Sequence, residues 1–434
     1  AWVLMGLPTS IYALGLGQVW IPVGLAIGYT ISWLLEAPRL RKFSIVANDS
    51  ITIPQYLTNR FLSKSLALQV ICAIVFLVAY TIYAASSVKA CGTLFHTVIG
   101  MDPQIAMYLA AVVIVGYTFL GGFSAVCWTD FFQGMLVLGS MFIAPIFAAF
   151  MLDTSSMSSL PGGYLNPFSS WQDIVSGLAW GLGYFGMPHI LVRFMAIRDP
   201  QEVKKSRNIA MIWVLISLSV AVCIGFTGAA LYPNVAELAG NGNQRIFIYM
   251  TTHLFKGLIP LFMAGVILSG ILAATMSTSD SQLLIASSCV SKNLFQGLFK
   301  KEMSEEKVLL VSRITTIVIA LIGIFIAMDE NSSVFGLVEN AWAGFGGAFG
   351  PLTLFALFWK RTNLKGAIAG MLSGGIIALV WPVTLGKLGG IFGIYCLLPA
   401  FIVSSILIIV VSLCTEEPND VMVKEFEEAK SLND

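Results

Sequence analysis

The sequence predicts an all-α polytopic membrane protein, built as two inverted sets of five elements followed by two further helices. Three observations lead there. Of its 434 residues 57% are hydrophobic and 11% charged, against about 25% charged in soluble domains. The mean hydropathy is +0.86 and the apolar excess runs along the whole chain, which excludes a soluble domain carrying one anchor. Glycine and proline interrupt one apolar stretch near the start and another mid-chain, the pattern of paired broken helices in inverted repeats.

A spanning helix needs roughly 20 apolar residues. Residues 1–13 make a shorter first element, weakened by Gly6 and Pro8. Full spans are expected at 16–36, 66–97, 102–121 and 127–152, and these five elements form repeat one, 1–152. A Ser-, Gly- and Pro-rich outer loop, 153–170, leads to the span 171–195. This span contains most of "GLAWGLGYFGMPHILVRFMA" (177–196), where Gly181, Gly183, Gly186 and Pro188 crowd the middle. The other members of repeat two, 171–359, are expected at 208–232, 257–288, 309–328 and 335–359, with an outer loop and short helix at 233–256. An odd number of elements inverts the second set relative to the first. The extra pair falls at 366–384 and 391–414, closing a single membrane domain, 1–414. The tail 415–434 is acidic and reads as solvated or loosely helical.

Basic residues orient the chain. With the 37–64 loop inside, alternation leaves 20 of the 24 Lys and Arg on the inner side and only Lys89, Arg245, Lys256 and Lys387 outside, so the C-terminus is expected in the cytoplasm. A net charge of +1 argues against a nucleic-acid surface. The seven cysteines form no C-x-x-C pair and read as small buried packing residues. No span holds a His/Asp/Glu cluster with catalytic or metal-ligand spacing, which disfavours a membrane enzyme. The opening "AWVLMGLPTS" has no initiator Met, and the chain is expected to begin inside an element.

Broken helices at mid-membrane expose main-chain dipoles that can serve as ligands. In "LSGILAATMSTSDSQLLIASS", Ala274, Ser277, Thr278 and Ser281 share one helical face. Neutral oxygens converging there suit sodium. The alternative is a small-residue packing face whose hydroxyls bond back to their own helix. Asp280 lies one turn further in, and an ionisable group at that depth is functional by default. Asp130 reads either as a helix cap or as a cation-steering carboxylate at the start of its span. Trp180, Tyr184 and Pro188 recur at i, i+4 and i+8, and with Tyr80, Tyr83 and Trp2 they form either packing or the wall of a small-solute site. His189 and Arg193 read as structural, and Glu339 and Asn340 have no assigned role.

"AWVLMGLP", "GGFSAVCWTDFFQG", "GLGYFGMPHILVRFMA", "ILAATMSTSDSQLL" and "AWAGFGGAFGP" together resemble the sodium:solute symporter family, in the same order over essentially the whole chain. The resemblance implies a LeuT-like fold and sodium-driven uptake of L-proline through the bacterial inner membrane. Na+ would be the coupling ion, with no organic cofactor and no obligatory protein partner. It implies that Ser277 and Thr278 are the sodium-ligating hydroxyls and that Ala274 supplies a carbonyl. Trp2, Tyr83, Trp180, Tyr184 and Pro188 would serve proline binding and its gate, and Asp130 sodium-dependent transport. Asp130, Asp280 and Ser281 would mark a second cation site or release path. The chain departs from the family pattern in two places. The family's Asp and Ser just before "AWVLMGLP", and the helix before them, are missing, so the chain is expected to lack part of its cation site. Glu339–Asn340 brings in a charge, which keeps pantothenate or a sugar acid as alternative solutes. A sensor half of a signalling protein is the rival of another class, and the short tail disfavours it.

Overall fold

The computed structural model describes residues 2–120, 123–255, 257–291 and 304–432. Among them all regular structure is helical. Among the described residues nine helices are long and apolar enough to cross a membrane, and a bent pair makes a tenth. Two shorter apolar helices, Trp2–Leu14 and Pro103–Gly116, bring the elements to the twelve that hydropathy predicts.

The first element departs from expectation. Gly6 and Pro8 do not break α1 (Trp2–Leu14). Its Trp2–Gly6 turn is π-helical, and Pro8 sits in the first turn of the α-helical part, where a missing N–H is tolerated. Next, α2 (Leu16–Val46) runs ten residues past the predicted end. A second π turn, Ser32–Glu36, carries it to Pro38, which again falls at the start of an α-helical segment. The extension is stable because Leu40 and Phe43 are buried while Arg41 and Lys42 lie on its more open side.

After the short α3 (Ile53–Arg60) come α4 (Ala67–Ile99), α5 (Pro103–Leu120) and α6 (Phe123–Met151). Because α6 starts at Phe123, Asp130 lies two turns inside it and is not a cap. The broken span forms α7, as Trp171–Phe185 and Pro188–Met195. It packs on α2 along a glycine seam. A Cβ on Gly24 would come within 2.3 Å of the Gly177 carbonyl oxygen, and one on Gly28 within 2.1 Å of that of Gly181. Only hydrogen atoms fit between the two backbones.

Next come α8 (Val203–Leu231), the short α9 (Ile246–Leu254), α10 (Leu258–Ser288), α11 (Glu305–Ala327) and α12 (Val334–Phe358). The last of these is the most enclosed of the described spans, buried over most of its length. The extra pair is α13 (Leu364–Val380) and α14 (Leu397–Cys414), packed on each other and on α12. Four cysteines are buried as expected, whereas Cys127, Cys223 and Cys414 are exposed.

The tail is not solvated coil. It forms α15 (Asp420–Ser431), capped by Asn419, whose side chain accepts the Met422 amide at 2.9 Å. Met422, Phe426 and Ala429 recur at helical spacing and are buried, with Phe426 edge-on to Phe43 of α2 at 5.2 Å. Arg39 and Arg60 lie over the Phe426 ring at 5.8 and 5.2 Å. Their Nε atoms donate to the Leu357 and Ala356 carbonyls at 2.7 and 3.2 Å, so two cations satisfy the negative end of α12.

Candidate functional site

The site is built on the break in α7, where the axis bends by 43°. In an intact helix the Tyr184 carbonyl would accept from residue 188 and the Gly186 carbonyl from residue 190. Pro188 has no N–H, and the Ile190 amide turns to the Met187 carbonyl at 3.0 Å. Both carbonyls thus lose their helical donors. The glycines serve a second purpose, because α12 comes close to the backbone here. A Cβ on Gly186 would lie 2.5 Å from the Gly350 nitrogen, and one on Gly183 would overlap the Trp342 indole.

Trp180 is the centre of an aromatic cluster. Trp2 lies 5.1 Å from it, Phe335 5.5 Å and Trp342 6.3 Å, and Tyr395 stacks on it at 5.0 Å. Tyr184 meets Trp342 at 5.1 Å and Tyr29 at 4.8 Å. The structure therefore brings Trp2, Trp180 and Tyr184 together, while Pro188 opens the second segment of α7. Tyr83, on α4, is buried beside His189 at 6.4 Å. Sequence reasoning missed Tyr29, Phe335, Trp342 and Tyr395. Trp342 stood in a quoted stretch, but nothing local to it indicated that its ring faces Trp180.

The hydroxyl face belongs to α10, which meets the second segment of α7 through Ser281 and Arg193. Thr278 donates to the Ala274 carbonyl at 2.8 Å, so this hydroxyl adopts the back-bonded arrangement. Ser277 is half-buried. One turn further, Ser281 donates to Asp130 Oδ2 at 3.2 Å and accepts from Arg193 Nη2 at 3.1 Å. Arg193 pairs with Asp130 at 2.6 Å, so α6, the second segment of α7 and α10 are tied at one point. Asp130 Oδ1 is buried with no hydrogen-bond partner among the described residues. Asp280 is fully buried, and its Oδ1 accepts the Ser281 amide. Arg193, which reads as structural in the sequence, is thereby bonded to two candidate residues, and only the fold could reveal which carboxylate it meets.

The sodium:solute symporter family profile matches residues 1–374. The chain belongs to the sodium:solute symporter family. This symporter is 39% identical to the sodium/proline symporter of Escherichia coli K12, over 99% of its own length and 86% of the relative's. It is 38% identical to the sodium/proline symporter of Staphylococcus aureus, over 96% and 83%. Among solved structures, a Na+-coupled sialic acid symporter in its substrate-bound outward-open state aligns with a TM-score of 0.77. That alignment has 18% identity and covers 96% of this symporter and 88% of that chain. A nucleobase-cation-symport-1 family transporter in a closed conformation aligns with a TM-score of 0.56 at 12% identity, over 98% and 92%. The symporter is a multi-pass membrane protein with the LeuT-like fold.

Proposed function

We propose that this symporter carries L-proline and sodium together into the cell by alternating access. The observation that supports this most strongly is the chain-long similarity to relatives named sodium/proline symporter. Sodium is read as a co-substrate held by the Ala274 carbonyl and the Ser277 and Thr278 hydroxyls. The pair of neutral oxygens 2.8 Å apart suits this, since Thr278 need only rotate its proton away for both to face one ion. Trp2, Trp180 and Tyr184 wall the ring of the solute, the α7 carbonyls meet its charged ends, and Tyr83 and Pro188 lie on the inner side of that space.

Asp130, Asp280 and Ser281 form the release path or a second cation site, with the buried, unbonded Oδ1 of Asp130 as the next oxygen an ion would meet. The Arg193–Asp130 pair holds the inner end closed and parts on release. Coupling then requires that each ligand favour the closed state more strongly when the other is bound. We also infer two repeats, 1–152 and 171–359. The chain would sit in the inner membrane with its tail in the cytoplasm, which the uneven distribution of basic residues supports. It would act without an obligatory protein partner or organic cofactor.

The test is uptake of labelled L-proline into liposomes holding the purified protein, under an inward sodium gradient and under a matched potassium gradient. Sodium-dependent accumulation is expected, abolished by excess unlabelled proline. Accumulation of pantothenate or a sugar acid in its place would reject proline as the solute.

A further inference from the structure

Outside the Trp180 cluster lies a cavity of about 370 Å³, within the range of small-molecule sites. Glu339 lines it. On α12, Phe335, Glu339 and Trp342 fall at i, i+4 and i+7, and Phe335 and Trp342 both meet the Trp180 ring. Glu339 lies between them and faces the same way. Its main-chain oxygen accepts the Tyr395 hydroxyl at 2.7 Å, which fixes the ring that stacks on Trp180. Trp381 closes another side of the cavity, and Asp173 adds a second carboxylate from the start of α7. Among the described residues lining the cavity there is no lysine or arginine, and Glu339 itself makes no ion pair.

A carboxylate set among aromatic faces favours one chemistry. The rings attract a cation through their quadrupoles and also accept apolar surface, so a cation carrying carbon is preferred over a hydrated inorganic ion. An anion is repelled by both carboxylates. The cavity lies directly against Trp180, so a group held there is one ring away from the aromatic cluster.

We propose that Glu339 makes the outer vestibule a recognition site for an organic ammonium group, ahead of the Trp180 cluster. Only the identity of the solute bearing that group rests on the function proposed above.

The test uses an Asn340→Cys reporter, at an exposed position lining the same cavity. Its modification by a cationic and by an anionic methanethiosulfonate is followed in the liposome-embedded protein by peptide mass spectrometry. The cationic reagent should react at least about fivefold faster, and tetramethylammonium should slow it at least about threefold. Both effects should vanish with Glu339→Gln and persist with Glu339→Asp. In uptake, Glu339→Gln should raise the KM for proline at least about fivefold while kcat stays within about twofold. Equal rates for the two reagents overturn the proposal, as does an unchanged KM in protein that takes up proline. Charge-dependent modification of the reporter, with no proline uptake by the protein without it, rejects the proline reading and leaves the ammonium site standing.

Discussion

The indole Nε1 of Trp342 donates a hydrogen bond to the main-chain carbonyl of Trp180, 2.8 Å away. The bond joins α12 to the first segment of the broken α7, just before the break. Trp342→Phe keeps a ring but leaves that buried carbonyl short of a donor, at a cost of roughly 1–3 kcal/mol. Gly183→Ala should do more harm, because its Cβ would occupy the space of the indole. Thermal unfolding of the purified protein in detergent checks both. A midpoint unmoved by either substitution would show that the bond is incidental.

Ser277→Ala and Thr278→Ala, alone and together, should raise the sodium concentration needed for half-maximal proline uptake. Surface expression should hold, since neither hydroxyl is bonded to another element among the described residues. The single Thr278→Ala change only removes a bond within its own helix. Sodium titration of uptake in liposomes reads the effect, and identical sodium curves would reject the hydroxyl pair as ligands.

Arg193→Gln should open the inner end by releasing Asp130 and Ser281. The arginine side chain is 42% exposed, so the pair contributes little to stability, of order 1 kcal/mol or less. The expected change is in transport, with faster sodium leak in the absence of proline. Asp130→Asn should also loosen the tie but remove the open carboxylate oxygen, so uptake falls. Leak measured by a sodium-sensitive dye separates the two, and the same leak in all three proteins would dissolve the gate assignment.

Gly28→Ala should destabilise the whole bundle. The added methyl has only the Gly181 backbone to push against, and overpacking of this kind costs about 1–3 kcal/mol or more. Gly100→Ala is a control in open space, although its positive φ of 66° carries a smaller penalty of its own. Detergent melting curves should rank Gly28→Ala well below the control.

Phe426→Ala should undock α15. The ring is 4% exposed, and deleting a buried Phe side chain costs about 3–5 kcal/mol, enough to free a short amphipathic helix. Limited proteolysis should then cleave within residues 415–434, while uptake reports whether the detached helix matters to the cycle. Unchanged protease resistance would mean that the salt bridges of Lys360 with Glu427 and Lys365 with Glu416 are enough to hold it.

The spans were legible because lipid demands long apolar runs, and such runs need no knowledge of partners. The α7 break was legible for a similar reason, since Gly181, Gly183 and Gly186 crowd six residues and Pro188 follows at once, and no continuous helix runs easily through that cluster. Pro8 misled because proline is harmless in a first turn, and hydropathy cannot say where a turn begins. The docking of α15 was hidden by its acidic composition. Met422, Phe426 and Ala429 make a narrow apolar stripe whose partner, Phe43, lies almost the whole chain away. Arg193 reads as structural in the sequence because its partner Asp130 is on another helix. In the same way Phe335, Trp342 and Tyr395 gained meaning only when their helices closed around Trp180.

The glycine seam between α2 and α7 has a mechanical consequence. Side chains that interdigitate can change rotamer and let two rods slide, but main chain resting on main chain has nothing to rearrange. The two helices must turn as one lever, with its fulcrum wherever bulkier contacts allow slip. Any swing that exposes the Trp180 cluster to one side or the other therefore carries α2 along, together with its inner extension and the C-terminal helix clasped to it.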